Sequence, residues 1–284
     1  MAEPQDYTGQ KPAWCPGCGN FQILKVFRDT MAGTGLEPHE LVLVSGIGQA
    51  GKFPHYTRAN VFNGLHGRTI PVATAVKLVN HDLNVVAVAG DGDCYGEGGN
   101  HLIHAMRRNI GIKVFVHNNQ IYGLTKGQAS PTTGEGVVTK TQPFGVLLEA
   151  LNPMALAVAL DAGFVARSFS GDREHLGQMM QAALAHDGFA LLDIFQPCVV
   201  FNKVNTAAWY KEHTYHLPEG HDPADREAAF RLAMSDGEKI PLGVIYKNSR
   251  APLEKLQPVI AGREPLVRQE FDFDAAVAEV DRFY

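Results

Sequence analysis

The chain contains no run of eighteen or more apolar residues, so it offers nothing long enough to cross a bilayer as a helix. It also lacks a dense basic stretch. Lys and Arg number 25 against 30 Asp and Glu, a formal charge of -5, which argues against a phosphate backbone as partner. Cysteine is scarce, four in 284 residues, too few for a disulfide-stapled secreted scaffold. The opening MAEPQDYTGQKPAW has no basic-then-apolar layout of a secretory signal, and no repeat or low-complexity tract follows. The expectation is a cytoplasmic globular protein with no membrane and no nucleic acid among its partners.

What is present is regular. Short β-branched, nearly all-apolar runs recur at 41–44, 85–88, 112–116 and 190–195, as suits strands buried on both faces of a parallel sheet. Segments with helical spacing lie at 71–80, 100–109, 153–162 and 173–186. This alternation predicts an α/β fold, a doubly wound and mostly parallel sheet. Residues 1–235 are expected to form one domain, with 236–284 as a C-terminal extension packing on it or on a partner. The Gly-, Thr-, Ser- and Lys-rich stretch 125–143 has no periodicity and reads as a functional loop over a ligand, and 202–225 reads as a surface wrap.

Ligands of open parallel sheets sit at the carboxyl ends of strands. After the strand ending at Val44, residues Gly46 to Lys52 satisfy a phosphate-loop pattern up to its last position, where Phe53 replaces the magnesium-binding Ser or Thr and Pro54 forbids the following helix. A nucleotide site is thereby disfavoured. Lys52 remains a candidate grip for an anionic substrate, or else a solvated turn lysine. The second strand runs into Gly90-Asp91-Gly92-Asp93, and the third into His117-Asn118-Asn119. As an EF-hand the acidic loop fails, because Tyr95 and Leu102 occupy ligand positions. If the two strands are parallel neighbours, Asp91 and Asn119 offer a hard divalent cation two oxygens, and the glycines let a diphosphate approach the backbone.

Five ordered motifs carry a resemblance: Trp14-Cys15-Pro16-Gly17-Cys18-Gly19, Ser45-Gly46-Ile47-Gly48, Asn63-Gly64-Leu65-His66-Gly67-Arg68, Gly90 to Asp93, and Tyr122 to Gln128. Together they resemble the beta subunit of a 2-oxoacid:ferredoxin oxidoreductase, nearest in appearance to the 2-oxoglutarate type, over about residues 10–235. The resemblance implies a thiamine diphosphate-binding fold. Asp91, Asn119 and the Ile121 carbonyl then match ligands of Mg2+, while Gly90, Gly92 and Asp93 match the loop along the diphosphate. His66 falls where the family contacts the diphosphate, its plain alternative being a locally satisfied turn histidine. Lys52 and Leu124 match positions lining the 2-oxoacid pocket.

Cys15, Cys18 and Cys198 fall where the family binds a [4Fe-4S] cluster. The departure is Gln49, where relatives commonly have cysteine. Cys94, closing the acidic loop, is the favoured fourth thiolate. A three-cysteine cluster, a non-cysteine ligand, or Zn2+ on Cys15 and Cys18 are the alternatives.

The reaction implied is oxidative decarboxylation of a 2-oxoacid with coenzyme A, giving acyl-CoA and CO2, with electrons passing to ferredoxin; the sequence leaves open whether it runs in this direction or in reverse as a reductive carboxylation. The chain resembles only the diphosphate-binding half of such an enzyme. An obligate alpha subunit that carries the activating glutamate is therefore expected, making the enzyme a heterodimer at least. Competing expectations are a pyruvate-specific oxidoreductase, a non-oxidative thiamine diphosphate-dependent decarboxylase half with a structural zinc site, and a zinc-knuckle interaction module.

Overall fold

The protein is described by a computed structural model that covers residues 2–235 and 239–283. The first five strands are β1 (Leu41–Ser45), β2 (Asn60–Asn63), β3 (Asn84–Gly90), β4 (Ile112–Asn118) and β5 (Phe164–Phe169). Three more follow, β6 (Ala190–Phe195), β7 (Thr214–His216) and β8 (Ile240–Lys247). They form one eight-stranded sheet in the order β2-β1-β3-β4-β6-β5-β8-β7. All neighbours are parallel except β5 and β8, which are antiparallel.

Side-chain alternation splits the central strands between two cores. Val42, Val44, Val85, Ala87, Ala89, Val114 and Val116 face one layer, where they meet Leu102 and Met106 of α3 (Gly99–Arg108) and Met154 and Val158 of α4 (Pro153–Ala159). Leu41, Leu43, Val86, Val88, Phe115 and Leu192 face the other, packing on Phe27 and Met31 of α1 (Asn20–Thr34) and Leu176 and Met180 of α5 (Arg173–Ala185). Helix α2 (Thr69–Val79) adds Ile70 and Ala73 to the first layer. Each fully buried aliphatic or aromatic side chain contributes about 1.5 to 3 kcal/mol, so both faces must be covered. The doubly wound sheet follows from that requirement.

The expected strand at 190–195 is found at those bounds, and the other three extend by one to three residues. Strands β2, β5 and β8 were not anticipated. Polar side chains break the apolar pattern at Asn60 and Asn63 in β2 and at Arg167 and Ser168 in β5, and Pro241 and Gly243 interrupt it in β8. The surface wrap expected at 202–225 contains α6 (Ala207–His213) and β7. The expected boundary at 235/236 adjoins residues outside the described ones, and β8 joins the same sheet as the strands before it. Among the described residues no helix is long and apolar enough to cross a membrane.

The chain moves from β1 outward to β2, then back across β1 to β3. The carboxyl ends of β1 and β3 therefore flank a topological switch point, where open α/β sheets leave a crevice.

Candidate active site

Four parallel strand ends, those of β2, β1, β3 and β4, deliver their loops to this crevice. Register places Gly90 beside His117 and Ser45 beside Val88, so the acidic loop and the asparagine pair leave neighbouring strands on one edge. The cleft between them is bordered by Gly90, Asp91, Gly92, Asp93, Asn119, Ile121, His66 and Leu124. Two segments far apart in sequence thus meet as their strand ends require.

Asp91 is buried, and its Oδ2 accepts hydrogen bonds from Ser130 Oγ at 2.5 Å and Thr132 Oγ1 at 2.7 Å. Burial raises its carboxyl to about 6, against the opposing pull of the two hydroxyls and of the Asn119 backbone N–H. A buried carboxylate held ionised by its donors gains further from a cation beside it. Asn119 Oδ1 accepts from the Ile121 N–H at 3.0 Å, which fixes the amide, and Asn119 Nδ2 donates to Gln196 Oε1 at 3.3 Å. The carboxylate of Asp91 and the amide of Asn119 border one cleft, and oxygens of these types are the ones hard divalent cations take.

Asp93 does different work. Its Oδ1 accepts from the backbone N–H of Gly67 at 2.8 Å and of Ile47 at 3.1 Å, and Oδ2 accepts from Thr69 Oγ1 at 2.9 Å. One buried carboxylate thereby ties the loops after β1, β2 and β3 into one wall. Gly46 is required there, because a Cβ on it would enter the Asp93 carboxylate. Gly92 is required for a similar reason, against the Tyr122 ring. His66 leans on the same carboxylate, Nδ1 to Oδ1 at 3.5 Å, on the rim of the cleft.

A second pocket adjoins the first through Gln49, Asn119 and Gly123, which border both. Cys15, Cys18 and Cys198 line it. Burial raises the Cys18 thiol to about 11, and the nearby Cys198 and Cys15 add to this. Gln196 Nε2 reaches Cys18 Sγ at 3.5 Å, so one glutamine touches both the cleft asparagine and the thiol pocket. Among the described residues no three His, Cys, Asp or Glu side chains converge as ligands of a single ion would.

Two expected residues stand elsewhere. Cys94 does not join the other thiols: it is fully buried in the core layer of Val44, Ala89 and Leu102, whereas Cys18 packs in the opposite layer. The π-helical turn Gly92–Glu97 turns it inward, away from the pocket that Cys15, Cys18 and Cys198 line, against the expectation that it would join them. Lys52 lies half-buried on the 3-10 turn Ala50–Tyr56, outside the lining of the cleft.

Comparison with known proteins agrees with the geometry. Residues 46–194 match the model of the thiamine pyrophosphate enzyme C-terminal TPP-binding domain, and residues 198–261 match the C-terminal model of the pyruvate ferredoxin oxidoreductase beta subunit. The 2-oxoacid:ferredoxin oxidoreductase 1 subunit beta of Aeropyrum pernix is 44% identical over 246 residues, covering 83% of this chain and 77% of that one. The chain belongs to the 2-oxoacid:ferredoxin oxidoreductase beta-subunit family. It is thus a subunit of an oxidoreductase and carries a thiamine diphosphate-binding domain.

The 2-oxoglutarate oxidoreductase subunit KorB of Mycobacterium tuberculosis is 45% identical over 209 residues, which cover 73% of this chain and 56% of that protein. A solved 2-oxoglutarate:ferredoxin oxidoreductase from Magnetococcus marinus, with 2-oxoglutarate, coenzyme A and succinyl-CoA bound, superposes with a TM-score of 0.92 at 34% identity, covering 98% of this chain and 96% of that one.

Sequence reading missed the supporting residues Ser130, Thr132, Asp193 and Gln196, and gave Asn118 no role of its own beside Asn119. Asn118 Nδ2 donates to Asp193 Oδ1 at 3.1 Å, and Asp193 also accepts from Tyr95 at 2.9 Å and Arg167 at 3.2 Å. The available signal was a charge inside each of two apolar strands, Asp193 in ALLDIF and Arg167 in FVARSF. Opposite charges buried in adjacent strands at matched register form a pair.

Proposed function

We propose that this chain is the thiamine diphosphate-binding half of a CoA-acylating 2-oxoacid:ferredoxin oxidoreductase with 2-oxoglutarate as its 2-oxoacid. The observation that carries the reading is the meeting of Asp91 and Asn119 in one cleft that shares a wall with a three-thiol pocket. The names of the relatives and the ligands of the solved neighbour support the choice of 2-oxoglutarate and coenzyme A.

When bound, thiamine diphosphate supplies an acidic ring carbon and an electron sink for decarboxylation. The protein's part is placement and charge. Asp91, Asn119 and the Ile121 carbonyl would hold Mg2+, Gly90 and Gly92 would let the diphosphate approach the backbone, and Asp93 and His66 would shape the opposite wall. Leu124 and Lys52 serve the 2-oxoacid, Lys52 once the partner closes the site. Cys15, Cys18 and Cys198 would hold an iron-sulfur cluster, which would supply one-electron transfer toward ferredoxin. The balance is 2-oxoglutarate, coenzyme A and two oxidised ferredoxins giving succinyl-CoA, CO2, two reduced ferredoxins and one proton. The activating glutamate comes from an alpha subunit, which completes the site. Residues 1–235 form the cofactor unit, with 236–284 extending it in the cytoplasmic enzyme.

The test is a panel of 2-oxoacids assayed on the complex with its partner subunit, with coenzyme A and a dye acceptor, alongside Asp91→Ala. Preference for 2-oxoglutarate with at least a hundredfold loss in the variant is expected. Equal activity in the variant would overturn the reading.

A further inference from the structure

Gln49 stands at the join of the two pockets with a polar atom unaccounted for. Its backbone carbonyl accepts from Trp14 Nε1 at 2.8 Å, which anchors the residue beside the Cys15 turn. Its side-chain Oε1 is buried and, among the described residues, has no hydrogen-bond partner. An amide oxygen buried without a donor is costly to the fold, and an ordered water or a bound ion is what repairs it. The residue borders the pocket that the thiols line. Gln49 Cγ and Cys198 Sγ sit 3.9 and 4.0 Å from the point a side chain on Gly123 would occupy, and Gln49, Cys15, Cys18 and Cys198 border the same pocket. The remaining cysteine, Cys94, is sealed in the core layer on the far side of the sheet.

A cubane cluster has four irons, and the pocket offers three thiols. We infer that the cluster is site-differentiated: Cys15, Cys18 and Cys198 hold three irons, and the fourth faces the amide oxygen of Gln49 in place of a thiolate. This rests on the reading that the thiol pocket holds an iron-sulfur cluster. An amide oxygen is a hard, neutral and weak ligand for iron beside a thiolate. The fourth iron is therefore the labile one. Oxidation by one electron then releases it: [4Fe-4S]2+ gives [3Fe-4S]+, Fe2+ and one electron, which ferricyanide accepts.

The experiment uses the complex with its partner subunit, purified without oxygen, and reads iron, sulfide and electron paramagnetic resonance rather than turnover. One equivalent of ferricyanide per beta chain should convert most of the wild-type cluster to the three-iron form, with the released Fe2+ trapped by a chelator. Gln49→Cys supplies the missing thiolate and should cut that conversion at least tenfold, while Cys94→Ala should convert as the wild type does. The inference falls if the wild-type cluster resists ferricyanide, if Gln49→Cys is as labile as wild type, or if Cys94→Ala alone loses iron. A preparation holding zinc or no iron would overturn the cluster reading itself, a separable failure. The wild-type and Cys94→Ala arms decide even if the Gln49 variant does not fold.

Discussion

Thr132 carries one hydroxyl proton and faces two acceptors, Asp91 Oδ2 at 2.7 Å and Asn118 Oδ1 at 2.9 Å. The ionised carboxylate wins that proton, because a charged acceptor makes the stronger bond. Removing the hydroxyl leaves a buried carboxylate with one donor fewer, and hydrogen bonds to charged groups contribute about 1.5 to 3 kcal/mol. Thr132→Val is therefore expected to weaken Mg2+-dependent binding of thiamine diphosphate to the complex by about tenfold or more. Thr132→Ser should retain it. Titration calorimetry checks this, and affinity within twofold of wild type in the valine variant counts against the role. Asp93 poses a different case, a carboxylate whose Oδ1 is used by two backbone N–H groups and whose Oδ2 is used by the Thr69 hydroxyl. Asp93→Ala orphans the N–H groups of Ile47 and Gly67, and a loss of about 3 kcal/mol in folding stability is expected by denaturant titration.

At the scale of elements, strand β4 joins what was legible in the sequence to what was not. Its apolar residues and the Asn-Asn pair after it announced both the strand and its place at the site, because burial on two faces demands such a run. Lys113 inside it announced nothing. It is buried, and its Nζ donates to the carbonyls of His186 and of Gly188, the latter at 2.8 Å, closing the open end of helix α5. Contacts of that kind depend on three-dimensional proximity, as do those of Ser130 and Thr132, which reach Asp91 from within a loop read only by its composition. Edge strand β2 was missed because all four of its residues are exposed, and β8 because Pro241 and Gly243 interrupt the apolar run that identifies a central strand.

Burial lowers the Lys113 ammonium to about 8, below the ordinary lysine value of about 10.4. The unfolded chain then holds a proton that the folded chain has released over that window, so stability rises with pH through it and is reduced below it. Between about pH 7.5 and about pH 9.5 the wild type should gain about 2 kcal/mol relative to Lys113→Met. Urea midpoints at the two pH values test this, and parallel pH dependence in the two proteins refutes it.

At the scale of the whole molecule, the cleft opens beside an edge of the sheet that no other described strand covers. β2 is the terminal strand, all four of its residues are exposed, and Val61, Phe62 and Leu65 keep 50%, 50% and 75% of their surface in solvent. An open strand edge with apolar side chains invites association. Here it lies directly before His66, on the rim of the cofactor cleft. A beta subunit has a partner, and this edge is where closure by that partner would both cover apolar surface and wall in the cleft. Phe62→Lys is therefore expected to leave the stability of the isolated chain within about 0.5 kcal/mol of wild type, since the side chain is half in water. It should weaken co-purification with the partner at least tenfold and lower turnover in proportion to the complex lost. Size-exclusion chromatography of the co-expressed pair, read beside the dye-linked assay, separates the outcomes. An intact complex with full turnover would place the contact elsewhere, and turnover by the isolated chain would remove the need for a partner at the site.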